Sequence, residues 1–190
     1  MASKIEICNI ALGKCGAKSI RSFDEDNKLA RACESAYDIH REALLTNYDW
    51  SFSLSYAQLA QLDETGTDVM PYVLALPSDC VRPREVHPFS PTISWMRVGK
   101  KIISNTESLT LIYSSNVTDT SVFPAYFVLA LAGQIADQIA ILITQDTKIL
   151  DKVESWSANN LIIGLDTDAS TNYEHKRYDD TADNDSFVNP

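Results

Sequence analysis

The chain has 190 residues, 45% hydrophobic and 22% charged, with eight Tyr, six Phe and three Trp, enough for one ordinary domain with a sizeable core. Its 26 acidic and 16 basic residues leave a formal net charge of -10, which argues against nonspecific attraction to nucleic acid or anionic lipid. The start, MASKIEICNIALGKCG, does not read as a secretory leader, because Glu6 and Asn9 break the apolar run. Cys8, Cys15, Cys33 and Cys80 form no CxxC pair, and three of them fall on apolar helical positions. Buried free thiols in a reducing compartment are therefore expected.

A first helix is predicted over Lys4–Lys14, with Ser3 and Glu6 as a capping box, Ile5, Cys8, Leu12 and Cys15 as the inner stripe, and Gly16 as a left-handed cap. A second follows in the segment 22–50. Asp24, Glu25 and Asp26 stand at its start, where the helix dipole favours negative charge. Leu29, Cys33, Ala36, His40, Ala43 and Leu44 make its stripe, while Arg31 with Glu34 and Asp38 with Arg41 are spaced for ion pairs on the solvent side.

From Trp50 the period changes. Trp50, Phe52, Leu54 and Tyr56 alternate with polar residues, which predicts a strand with those four side chains on one face. DETGTD (63–68) reads as a turn or loop, and short strands follow through SLTLIYSS. Gly99-Lys100 marks a tight hairpin, and Pro77, Pro83, Pro88 and Pro91 confine these strands to short or edge positions. In the last strand Leu111 and Tyr113 face one side, Thr110, Ile112 and Ser114 the other.

The next segment, FVLALAGQIADQIAILIT (127–144), approaches membrane-spanning length, yet Gln134, Asp137 and Gln138 sit at its centre. That trio is costly in lipid. Phe127, Leu131, Ile135, Ile139 and Leu142 recur every three or four residues with the polar trio on the opposite flank, so the segment reads as a buried helix of a soluble domain. Asp137 on that flank is expected to be solvated or hydrogen-bonded, with an inter-subunit contact as the other reading. Ala130, Gly133, Ala136 and Ala140 permit close approach of a neighbouring helix. A fourth helix runs to about Gly164, with Leu150, Val153, Trp156 and Leu161 on its apolar face. Residues 166–190 hold seven acids against Lys176 and Arg177, half of the net charge, and their few bulky side chains have no period. They read as a flexible acidic arm.

The predicted class is α+β: an antiparallel helical bundle of about four helices (1–48 and 122–165), a β-rich insertion between the second and third helices (49–121), and the arm (166–190). The histidines at 40, 87 and 175 are widely spaced, and no HExxH, CxxC, GxSxG, P-loop or GxGxxG occurs. No catalytic residue, metal or cofactor is expected. Paired carboxylates for glycoside hydrolysis stay open, since any two acids can converge in space. Arg82, Arg84, Arg97, Lys100 and Lys101 cluster in the β-rich segment with Phe89 and Trp95. This suggests a mixed-charge interface with an acidic partner, ahead of a base-stacking surface.

Several motifs occur together in chain order. Leu12-Gly13 is followed by Ile20 to Asp24, then Ala30 to Cys33, Tyr37, Arg41 to Leu45, and Trp50 to Ser53. Further on stand YVLALPSDCVRPREV and LTLIYSSNVTDTSVFPAYFVLALAGQIADQIA. Over roughly residues 3–160 this pattern resembles the tail tubular protein A family, the head-to-tail adaptors of short-tailed phages. Pro83 stands where that pattern usually has an apolar residue, and the segment after Leu165 is not covered.

The resemblance implies a structural virion protein: a ring of twelve subunits between the portal protein and the tail nozzle protein, with DNA passing through unread and no membrane involved. Within it, Tyr173, Arg177, Tyr178 and Phe187 are expected to anchor a portal-binding arm, and Arg82, Arg84, Trp95, Arg97 and Lys101 a subunit or nozzle interface. The alternatives are another head-completion or tail-tube-end protein and a virion-associated carbohydrate hydrolase.

Overall fold

The computed structural model describes residues 2–144 and 146–180, with side chains of the last helix described through residue 171. The chain is α+β, with four α-helices and two antiparallel sheets among the described residues. It divides into two compact units: residues 1–44 with the chain from 119 onward, and residues 45–118.

The first unit is helical. Helix α1 spans Lys4–Lys14, and its N-terminus is closed reciprocally: the Glu6 N–H donates to Ser3 Oγ at 3.2 Å and the Ser3 N–H to Glu6 Oε2 at 2.6 Å. At its other end Gly16 takes φ +71°, so that the Ala17 N–H reaches the Leu12 carbonyl at 2.9 Å. Helix α2 spans Lys28–Asn47, later than the acidic run suggests. Asn27 caps it, accepting from the Ala30 N–H at 2.8 Å. Glu25 instead braces the preceding loop by accepting from the Arg21 and Ser22 N–H groups, which holds its carboxyl below the usual range.

The inner face of α2 is rotated from the expected stripe. Ala30, Cys33, Ala36, Tyr37 and Leu44 are buried, Leu29 and His40 only half-buried, and Ala43 exposed. Arg41, expected on the solvent side, is only 4% exposed, with its Nε 3.4 Å from Asp38. Arg31 pairs with Asp26 at 2.7 Å rather than with Glu34.

Helix α3 (Ala125–Ile143) buries Phe127, Leu131, Ile135 and Ile139, whereas Leu142, placed with them by periodicity, is exposed at the C-terminal end. Helix α4 spans Thr147–Asp180. Contacts of Tyr126 with Asp168 and of Gly133 with Ser157 make α3 and α4 antiparallel. A Cβ on Gly133 would stand 2.9 Å from Ser157 Cα, so the helices meet where a side chain is missing. The expected stop near Gly164 is corrected: the inner face continues through Leu161, Gly164, Leu165 and the buried Asp168. Residues 166–180 thus continue α4 in place of the expected end near Gly164, and residues 181–190 of the expected arm lie outside the described residues.

The second unit is all β beyond the end of α2. Its strands are β1 (Leu54–Gln58), β2 (Gln61–Thr65), β3 (Tyr72–Ala75), β4 (Cys80–His87), β5 (Trp95–Val98), β6 (Lys101–Ser104) and β7 (Thr110–Ser115). They form sheets of order β1-β7-β4 and β2-β3-β6-β5. The inner faces share one core, with Val86, Leu111 and Tyr113 from the first sheet against Leu74 and Ile102 from the second. Asp63, Glu64 and Thr65 belong to β2 rather than to a turn, and β5 and β6 join through Gly99-Lys100. Pro83 lies on the edge strand β4, beside shifts in its register with β7.

The strand expected from Trp50 is corrected. Residues Ser51–Ser53 form a 3₁₀ turn that buries Trp50 and Ser53 completely, and β1 starts only at Leu54. The turn shifts the alternation, so Leu54 (50% exposed) and Tyr56 (82%) face outward.

Candidate functional site

Burying Trp50 through a 3₁₀ turn leaves backbone groups to satisfy, and Arg84 does much of this. Its Nε donates to Ser114 Oγ at 2.8 Å and its Nη2 to the Trp50 carbonyl at 3.0 Å. Asp49 Oδ1 lies 3.3 Å from that Nε and 3.1 Å from Arg82 Nη1. Ser115 Oγ donates to the Ser53 carbonyl at 2.9 Å. The Arg84 side chain is only 13% exposed, so it is a clasp between the turn and the first sheet rather than a presented charge. Sequence reading missed its partners Asp49, Ser53 and Ser114, because acids and serines near a turn are too common to stand out.

The remaining candidates lie on the second sheet. Trp95 is half-buried and packs against the shared core. Arg97 donates to the carbonyls of Gly99 at 3.0 Å and Val81 at 3.1 Å. Lys101 reaches Glu64 Oε1 at 2.6 Å across β3. Arg82 and Arg84 thus converge on Asp49, Trp95 and Arg97 share one side of β5, and Lys101 turns to the opposite face. The five do not form one patch, and three of the four cations already have a carboxylate partner. Arg97 and Lys100 have none among the described residues.

The unit also presents apolar side chains. Besides Leu54 and Tyr56, Val69, Phe89, Met96 and Val98 are exposed; of these the sequence placed only Phe89 at a surface, beside the basic cluster. Of the arm candidates, Tyr173, Arg177 and Tyr178 lie on the helical backbone of α4 beyond the described side chains, and Phe187 lies outside the described residues.

In the helical unit the polar flank of α3 meets α2 and α4. His40 Nε2 and Gln138 Oε1 are 2.5 Å apart, and Gln134 Nε2 donates to Ser157 Oγ at 3.1 Å. Asp137 is the exception, since its buried Oδ1 has no hydrogen-bond partner. Burial raises the Asp137 carboxyl above the usual carboxylate range, and Glu154 adds to this; a Ser157 hydrogen bond and His40 oppose it. Tyr126 donates to Asp168 Oδ1 at 2.7 Å nearer the far end of α4.

All four cysteines are free and buried. Cys8 and Cys33 hydrogen-bond to each other, which with burial pushes the Cys8 thiol up and away from the reactive thiolate. No group of three or more His, Cys, Asp or Glu is placed to hold a metal among the described residues.

No family model matches the chain, and no curated protein matches it.

Proposed function

We propose that this protein is a head-to-tail adaptor of a short-tailed phage: an enzymatically inactive virion subunit that assembles into a ring between portal and tail nozzle. The observation that carries the reading is the coincidence of the adaptor-like motifs with one element order, helix–helix, seven strands, helix–helix. In this reading the helices form an antiparallel bundle and the β-rich segment is an insertion that supplies a contact face. The exposed Met96 and Val98 on β5 support such a face better than the arginines and Lys101 do.

The acidic balance suits a conduit. A polyanion slides past carboxylates that leave it few cations to bind, so DNA passes without being read. A closed ring of about twelve copies needs two different complementary faces on each subunit. Assembly takes place in the host cytoplasm and ends in the virion.

The test is the mass of the purified protein mixed with its phage's portal ring. A discrete complex carrying about twelve added subunits, as closed-ring assembly requires, is the expected result. No association across a range of salt concentrations would reject the adaptor assignment.

A further inference from the structure

Among the described residues four strands lie at sheet edges: β1 and β4 in one sheet, β2 and β5 in the other. An edge strand offers unpaired N–H and C=O groups to any passing strand, and proteins blunt such edges with charge, proline, bulges or shortness. Three of these edges are blunted. Strand β4 carries Pro83 and two register shifts, β2 carries Asp63, Glu64 and one shift, and β5 has only four residues with Arg97 among them.

Strand β1 has none of these devices. LSYAQ pairs with β7 in unbroken register from Leu54↔Ser114 to Gln58↔Thr110. No Pro or Gly interrupts it, and no charged residue occurs from Trp50 through Leu62 in a chain of net charge -10. Two of its three outward side chains are apolar, Leu54 and Tyr56, the latter directly opposite the half-buried Ile112; the third, Gln58, is polar but uncharged.

We propose that β1 is a self-association edge, where a second copy of this chain adds its own β1 antiparallel about a two-fold axis at Tyr56. Each three-stranded sheet then becomes half of one six-stranded sheet, with β1 beside β1 at its centre. The occupant follows from charge and pattern. A neutral edge offers nothing to an acidic or basic strand, and of the four edge strands the uncharged one that matches it is β1 itself. On the outer face Tyr56 of one copy lies beside Tyr56 of the other, with Leu54 and Ile112 of both flanking the pair. Such a contact is isologous, unlike the head-to-tail contacts of a ring, and does not rest on the adaptor reading.

The experiment is sedimentation velocity of the full chain alone, across protein concentration and salt. Two acidic copies repel, so screening strengthens this contact, the opposite of what an ion-paired interface would show. The expected result is a reversible monomer–dimer equilibrium that moves toward dimer as salt is raised. Tyr56→Lys should weaken it at least about tenfold by placing like charges side by side. Since Tyr56 is 82% exposed, the variant's unfolding temperature should match the parent's, and Met96→Lys on β5 should leave the dimer intact. A chain that stays monomeric at every salt and concentration overturns the proposal. So does a dimer that survives Tyr56→Lys or is lost in Met96→Lys. None of these outcomes bears on docking to a portal, which is read in a separate mixture.

Discussion

At Gly133 and Asp137 the packing of α3 against its neighbours depends on single atoms. A methyl group at Gly133 would meet the Ser157 backbone at 2.9 Å, and a backbone atom cannot rotate away. Gly133→Ala is therefore expected to destabilise the fold by about 1–3 kcal/mol, despite its better helix propensity, as urea unfolding would measure. Asp137 carries a buried oxygen without a partner and a raised carboxyl pKa. Because its folded pKa lies above the unfolded one, the folded state binds the proton more tightly. Stability should fall as pH rises from the unfolded value through the raised folded value, then stay reduced. The groups facing it are Glu154 on α4, His40 on α2 and Cys15 just beyond α1. Asp137→Asn should raise stability at neutral pH by about 1 kcal/mol and lose that gain below the unfolded carboxylate range. Thermal unfolding at pH 7 and pH 4 reads the difference, and an equal gain at both values would contradict the assignment.

Among whole elements, the basic residues of the β-rich unit divide by what they join. Arg84 ties the 3₁₀ turn, β4 and β7 together from a nearly buried position, and removing it takes one partner each from the Asp49 carboxylate, the Trp50 carbonyl and the Ser114 hydroxyl. Arg84→Ala should cost about 2–4 kcal/mol. Arg97→Ala, which loses two exposed bonds to carbonyl groups, should cost no more than about 1 kcal/mol. Equal losses in denaturant titrations would mean that the clasp is not structural. The two arginines looked alike in the sequence because residue type and spacing encode neither burial nor the partner reached across a sheet. The same limit applies to β1. Alternation at Trp50, Phe52, Leu54 and Tyr56 was legible, but a three-residue turn inserted after Trp50 reverses which side of the sheet the later pair faces.

Across the whole molecule, α4 carries the test of where the folded chain ends. Asp168 is buried against Tyr126, so a chain truncated after residue 165 loses that bond and the last buried position among the helix's described side chains. It should unfold several degrees below the parent, whereas truncation after residue 180 should leave the unfolding temperature unchanged. Calorimetry on the two truncated chains decides this, and equal behaviour would place the structural boundary elsewhere. The sequence by itself determined the α1 capping box and its glycine stop, the buried face of α3 from Phe127 to Ile139, the Gly99-Lys100 hairpin and the shared side of Leu111 and Tyr113. Each of these depends on a local rule: a cap, a period or a turn residue. Only the tertiary structure decided that Arg41 is buried and Arg84 nearly so, that Leu54, Tyr56 and Leu142 are exposed, and that α4 continues past Gly164. Those outcomes depend on which surface meets a partner from distant sequence, and periodicity records the existence of an apolar face without recording where the neighbouring element stops covering it.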